Sequence, residues 1–224
     1  MSVTHIIVKI PMNSTAINSS KSPGMRRQPR QARSQERVER VLDVAEQMFI
    51  TEGYDATTTN AIASRAKVSI GSLYQFFPDK AAIVQALTMR YVNLIQHRFT
   101  ELHTAEIVEL PLPTYVSVAI DTLERFFNDY PGYHAIFIQV QGMIPELEAI
   151  ETAADAQLIQ ELAKFLSLRN LNVEQANYEA ISFVLIKSIG TLLWLALSQE
   201  PPFRQQLVTE AKRLMLSYLQ SYFP

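Results

Sequence analysis

The sequence predicts an all-α protein, with a three-helix head near the N-terminus and a longer helical body after it. Three observations predict this class. Apolar residues recur at helical spacing in window after window, as in Val38, Val41, Leu42, Ala45 and Phe49. Helix-breaking residues separate the windows at Gly53, Pro78, Pro111, Pro113, Pro131-Gly132 and Pro145. The stretch from Thr57 to Lys80 reads as two short helices around a tight turn, then the start of a third.

Length and composition bound the answer. The chain has 224 residues, enough for one or two small domains with a sizeable core, and 48% of them are hydrophobic. There is no cysteine, which excludes disulfides, thiolate metal sites and thiol nucleophiles and suits a reducing cytoplasm. No charged n-region precedes a long apolar run, so no signal peptide is expected. The net charge of −2 conceals an asymmetry. Residues 1–80 carry 11 Lys and Arg against 7 Asp and Glu; residues 81–224 carry 9 against 15. A basic front on an acidic remainder fits a polyanion-binding head on a body that the polyanion repels.

Residues 1–33 read as a flexible tail. Asn13 to Gly24 is rich in Ser, Asn, Thr and Pro and cannot build a core. Ile6 to Ile10 has strand character but no obvious partner, and Met12 and Met25 are alternative starts. Lys21 to Arg33 holds five basic residues and no acid. Such an arm suits a phosphate backbone or a minor groove, and equally a soluble tail. The first helix is expected from Ser34, as N-cap, to Glu52, with Gly53 as the C′ glycine.

The next helix opens at Thr57, Thr58 and Thr59, whose hydroxyls can cap it and also reach a phosphate. Ile62, Ala63 and Ala66 give it one small apolar face. Ser69 caps a second short helix, Ile70 to Phe76 or Phe77. Leu73 and Phe77 lie four apart and point inward, which leaves Ile70, Gly71, Tyr74 and Gln75 outside. A helix with an apolar back and a front of Gly, Ser, Tyr and Gln suits the major groove of DNA. Asp79 caps the long helix that follows. Lys80 in its first turn faces the positive end of the helix dipole, a combination that a DNA phosphate would satisfy. The spacing alone also fits a surface helical hairpin with a solvated lysine.

The segment GYDATTTNAIASRAKVSIGSLYQFFPDKAAIVQAL resembles the DNA-binding domain of TetR/AcrR-type transcriptional regulators. The matching positions are Gly53-Tyr54, Thr57-Thr58, Ile62-Ala63, Val68-Ser69, Gly71, Leu73-Tyr74, Phe77 and Lys80, and the match covers about Ser34 to Leu87. Lys67 departs from the family's usual glycine in the turn, so a positive φ there would carry a small penalty. The resemblance implies a helix-turn-helix head over 34–80 and a ligand-binding and dimerising body over 81–224. The expected DNA-binding residues are Thr57, Thr58, Thr59, Ser69, Ile70, Gly71, Ser72, Tyr74, Gln75, Phe76 and Lys80. Tyr74, Lys80 and one or more threonines would hold phosphates, with Ser72 and Gln75 on base edges.

In the body, a long helix is expected from Asp79 to Leu102, with Ile83, Leu87, Tyr91, Leu94, Ile95 and Phe99 on its apolar side. Further helices follow over 114–129, 133–142 and from Pro145 to Leu168, with a loop at Asn170 and Asn172. Val173 to Ser198 is the most apolar helix. Its apolar run is short for a membrane span and has Lys187 in its middle, so a buried or interface helix is expected. Tyr178, Ile181, Leu185, Ser188, Leu192 and Leu195 alternate by three and four, as do Leu207, Ala211, Leu214 and Tyr218 in a last helix from Phe203 to Tyr222. Such seams fit a four-helix dimer interface or the protein's own core.

The candidate walls of a ligand pocket are Tyr91, Phe99, Tyr115, Phe126, Tyr133, Phe137, Met143 and Trp194, with His134 and Gln139 as polar anchors. At helical spacing these residues equally form plain core. The four histidines make no HExxH or Glu-x-x-His pattern, and there is no glycine-rich phosphate loop or GxSxG elbow, so neither an enzyme nor a cofactor is expected. The resulting expectation is a cytoplasmic homodimer on a roughly palindromic double-stranded operator, a repressor released by a small apolar or aromatic ligand. Control by a protein partner, or by no ligand, is the alternative.

Overall fold

A computed structural model of the protein describes residues 24–26, 32–169 and 177–223. Ten helices are found among them: α1 Ala32–Glu52, α2 Thr59–Arg65, α3 Ile70–Phe76, α4 Lys80–Leu102, α5 Ala105–Val108, α6 Leu112–Asp129, α7 Pro131–Val140, α8 Glu146–Ser167, α9 Tyr178–Ala196 and α10 Pro201–Gln220. No strand occurs among the described residues. The tail over 1–23 and the loop at Asn170 and Asn172 lie outside them.

The contacts divide the chain into two compact units. One holds α1 to α3, α4 as far as Leu94, and Tyr130–Thr152. Its core is the stripe predicted for α1, joined by Ile62, Ala63, Leu73, Phe77, Ile83 and Leu87. α7 packs against α1. Two devices fix that packing. The Gln139 side chain accepts from the Tyr54 N–H at 2.7 Å and donates to the carbonyls of Phe49 and Ala135 at 3.2 and 2.8 Å. Gly132 allows a close approach: a Cβ there would lie 2.6 Å from both Glu46 Oε1 and the Tyr91 hydroxyl. Those two atoms are themselves joined, Tyr91 donating to Glu46. Burial first, and this hydrogen bond second, push the Tyr91 phenol well above its usual pKa. Beside it, Arg90 pairs with Glu39, Asp43 and Glu46 of α1 at 2.6, 2.8 and 3.4 Å.

The other unit holds Ile95–Asp129 and the residues from Ala153 onward. Here α10 packs against both α6 and α9. A buried aromatic cluster joins α4, α6 and α8. His103 donates from Nδ1 to the Phe99 carbonyl at 2.7 Å, which leaves Nε2 to accept from the Tyr115 hydroxyl at 3.0 Å. The Tyr115 and Phe165 rings stack at 5.1 Å. Burial pulls the His103 imidazole down to about 4. α9 is long and apolar enough to cross a membrane, but Lys187 in its middle forms an ion pair with Asp155 of α8.

Several boundaries differ from expectation. α1 begins at Ala32, so Ser34 lies inside the first turn rather than capping it; Ala32 and Arg33 are good helix formers and nothing there stops the helix. The short helix α5 has no counterpart in the predicted elements. Pro113 sits in the first turn of α6, and Pro131 and Gly132 open α7 rather than forming a turn before it. Proline is preorganised for the first helical turn, where its missing N–H costs nothing. The same holds for Pro201 in α10, which starts two residues before Phe203. α9 starts at Tyr178, after Asn177 accepts a capping bond from the Ala180 N–H at 3.0 Å.

The two seams are a partial correction. Ile181, Leu185 and Ala211 are buried, at 3%, 4% and 0% exposure, in the chain's own core, and cannot face a partner. Both sides of α9 are apolar, so period alone cannot tell the inner side from the outer. The exposed apolar side chains are Phe183, Val184 and Leu195 on α9, and Phe203 and Leu214 on α10. Ser188 is exposed; Tyr178, Leu192, Leu207 and Tyr218 are half-buried.

Candidate nucleic-acid interface

The α2–α3 pair is built by local rules. Thr58 caps α2, its hydroxyl accepting from the Ala61 N–H at 3.2 Å. α2 ends in a Schellman arrangement: the Val68 N–H donates to the Ala63 carbonyl at 3.0 Å and the Lys67 N–H to the Ser64 carbonyl at 3.2 Å. That motif needs a left-handed residue at its turn, and Lys67 supplies it with φ 54°. A non-glycine residue held there costs on the order of 1 kcal/mol. Ser69 then caps α3, accepting from the Ser72 N–H at 3.1 Å and donating to the Ser72 hydroxyl at 2.8 Å.

α3 presents the predicted front. Leu73 and Phe77 are buried, while Ile70, Gly71, Tyr74 and Gln75 are exposed. Among the described residues, no atom beyond its chain neighbours and its own helix backbone lies within 4 Å of the position a Cβ would take at Gly71. The Tyr74 hydroxyl lies 3.1 Å from that of Thr59, which ties the exposed faces of α3 and α2 together. The arm reaches this region: the Arg26 N–H donates to the carbonyl of Phe76, the last residue of α3, at 2.9 Å.

Two of the expected DNA-binding side chains are corrected. Phe76 is 7% exposed, because positions 73, 76 and 77 share the inner face at i, i+3 and i+4. Thr57 is also buried, and its hydroxyl donates to the Gly53 carbonyl at 2.7 Å. Thr58 and Thr59 remain accessible. Lys80 begins α4, with its ammonium on the carbonyls of Tyr54 and Thr57, the latter at 3.0 Å, and 4.0 Å from the Tyr54 ring centroid. In this arrangement it holds the loop that starts α2. Burial first, then the carboxylates of Asp79 and Asp55, raise the Tyr54 phenol above its usual pKa, so the ring under the ammonium is neutral.

A cleft of about 310 Å³ opens beside this front, lined by Arg33, Glu36, Arg37, Arg40, Lys67, Val68, Ser69 and Ser72. Arg37 and Arg40 join this interface from α1, outside the helix-turn-helix stretch itself. The available signal was their i, i+3 spacing, with Arg33 four residues earlier, on the polar side of α1.

Of the candidate pocket walls, Tyr91, Tyr115, Phe126 and Phe137 are buried, Phe99, Tyr133 and Trp194 are half-buried, and Met143 is exposed. In the first unit Tyr133 packs tilted against Tyr91 and edge-on against Phe137, with centroids 5.0 and 4.8 Å apart. Gln139 is committed to backbone groups, as described above, and Met143 is 58% exposed. In the second unit Tyr115 and Phe126 are fully buried, Phe99 packs on His103 at 4.1 Å, and Trp194 packs edge-on to Phe127 at 6.1 Å. His134 is half-buried.

A capped helix pair with an exposed, glycine-bearing second helix beside a basic cleft defines a helix-turn-helix DNA-binding protein. Comparison with known proteins agrees. Residues 41–87 match the model of the bacterial regulatory proteins of the tetR family, and residues 111–219 match the tetracyclin repressor-like C-terminal domain. The chain therefore belongs to the TetR family of transcriptional regulators, which are not enzymes. The activator FasR of Mycolicibacterium smegmatis is 28% identical over 162 residues, covering 71% of this chain and 73% of that one. The repressor KstR of Rhodococcus jostii is 35% identical over 63 residues, covering 28% and 30%. A TetR-family regulator from Streptomyces coelicolor superposes with a TM-score of 0.62 at 25% identity, over 85% of this chain and 99% of that one.

Proposed function

We propose that the protein is a homodimeric repressor that occupies a roughly palindromic operator and leaves it when a small apolar or aromatic ligand binds the body, residues 81–224. The head, residues 34–80, does the binding. The exposed front of α3 carries this reading, with Gly71 open to close approach. Ser72 and Gln75 would read base edges, while Thr58, Thr59 and Tyr74 contact phosphates and Lys80 shares its ammonium between loop and phosphate. The exposed apolar side chains of α9 and α10 support a two-fold interface, in which one patch meets its own copy and sets the spacing of two heads. KstR's description as a repressor supports the sign, whereas FasR's description as an activator favours the second reading, activation from the same contacts. The protein would act in the cytoplasm, where its operator lies.

The test is fluorescence anisotropy of the purified protein on the DNA upstream of its own gene, with random duplex as competitor, followed by transcription from that promoter in vitro. Specific binding by two subunits per site, with transcription suppressed, supports the reading; stimulation selects the activator. Loss of DNA affinity that saturates with an added apolar or aromatic compound supports ligand release. Insensitivity to every such compound favours control by a protein partner. Leu195→Asp is expected to yield a monomer by sedimentation and to weaken operator binding; an intact dimer would remove this patch from the interface.

A further inference from the structure

We infer that the cleft between α1 and the α2–α3 turn is a second phosphate clamp, one that grips the DNA backbone flanking the groove entered by α3. The inference rests on the helix-turn-helix reading. Arg33, Arg37 and Arg40 stand at i, i+4 and i+7 on one side of α1, flanking its buried stripe, and line the cleft together with Lys67 of the turn. These four cations share the cleft with a single carboxylate, Glu36. Among the described residues no ion pair is found for any of the four, whereas Arg65 and Arg90 of the same unit pair with Glu52 and with Glu39, Asp43 and Glu46. Four cations gathered around a concavity with one carboxylate leave an excess of positive charge there, and a polyanion removes the repulsion among them. The Ser69 and Ser72 side chains line the same cleft, adding hydroxyls next to the exposed end of α3. Arginine forks suit phosphate oxygens in pairs. Lys67 adds to this: the turn holds a strained lysine where glycine would fit better, and that lysine lines the cleft.

The test compares full-length wild-type protein with Arg37→Gln/Arg40→Gln on an operator selected from a random duplex library, across a salt series. Each lost phosphate contact flattens the log–log dependence of affinity on salt by about 0.9. The double variant is expected to flatten it by roughly 2, with the ratio of specific to random binding retained, and Arg37→Lys/Arg40→Lys is expected to restore the slope. Lys67→Gly should flatten it by about 1 without lowering Tm. An unchanged slope in the glutamine variant, with binding intact, would overturn the clamp. So would a wild-type Tm that rises with inorganic phosphate or pyrophosphate while the slope does not depend on Arg37 and Arg40, which would make the cleft a small-anion site. Wild-type protein showing no salt-sensitive binding to any duplex would instead overturn the helix-turn-helix reading, and the clamp with it.

Discussion

Replacing Gly71 with alanine is expected to stabilise the protein and weaken its hold on DNA. The residue lies in the first turn of α3, its φ is not in the left-handed region, and among the described residues a Cβ would meet nothing within 4 Å beyond its neighbours and its own helix backbone. Alanine at such a site removes unfolded-state freedom and contributes about 0.4–1 kcal/mol. For a chain of this size that raises Tm by roughly 1–4 °C. On DNA the sign reverses. The new carbon stands about 1.5 Å beyond Cα. If α3 backs away by that distance, a hydrogen bond of about 2.9 Å opens beyond 3.5 Å and is lost. One such bond to a charged phosphate is worth about 1.5–3 kcal/mol, or roughly 10- to 150-fold in Kd. Thermal unfolding and anisotropy on the same preparation measure both halves. A lower Tm would show that Gly71 serves the fold in a way its open surroundings contradict. A higher Tm with unchanged Kd would show that no DNA group approaches this Cα.

Three further outcomes follow from particular contacts. Lys80→Met leaves the carbonyls of Tyr54 and Thr57 without their donor and should cost about 1–3 kcal/mol, read as a lower urea midpoint at constant m; an unchanged midpoint would mean the ammonium does not hold this loop. Gln139→Ala removes the partner of the Tyr54 N–H and should speed hydrogen exchange at that amide well beyond its neighbours; exchange that stays slow would show another acceptor takes over. His103 is neutral in the fold until about pH 4 but protonates near 6.5 when unfolded. The unfolded state thus binds the extra proton between those values, so stability is full above pH 6.5 and falls by up to roughly 3 kcal/mol as pH drops toward 4. His103→Gln should flatten this acid limb of Tm against pH, and an identical limb in the variant would exonerate His103.

The head was legible because its signals are local. Gly53, Thr58, Ser69 and Asp79 each act within a few residues of themselves, and the structure places the first as a left-handed glycine and the others as side-chain caps. The inner face of α3 needed only a period, although Phe76 shows that a seven-residue helix buries one position more than the pair Leu73 and Phe77 suggested. The basic cleft was not legible, because it joins α1 to a turn some thirty residues later, and only tertiary packing brings Arg37 and Arg40 to Lys67.

By itself, the sequence determined the all-α class, the punctuation of the helices and the outward front of α3, since each depends on spacing and on the conformational limits of single residues. Tertiary structure decided which polar groups are already committed. Thr57, Gln139 and Lys80 read as free side chains in a row of letters, yet each is hydrogen-bonded to backbone groups of the fold. It also decided which apolar stripe of α9 faces inward. A helix that is apolar on two sides carries one period but two possible orientations, and only the competition for burial among α6, α9 and α10 selects between them.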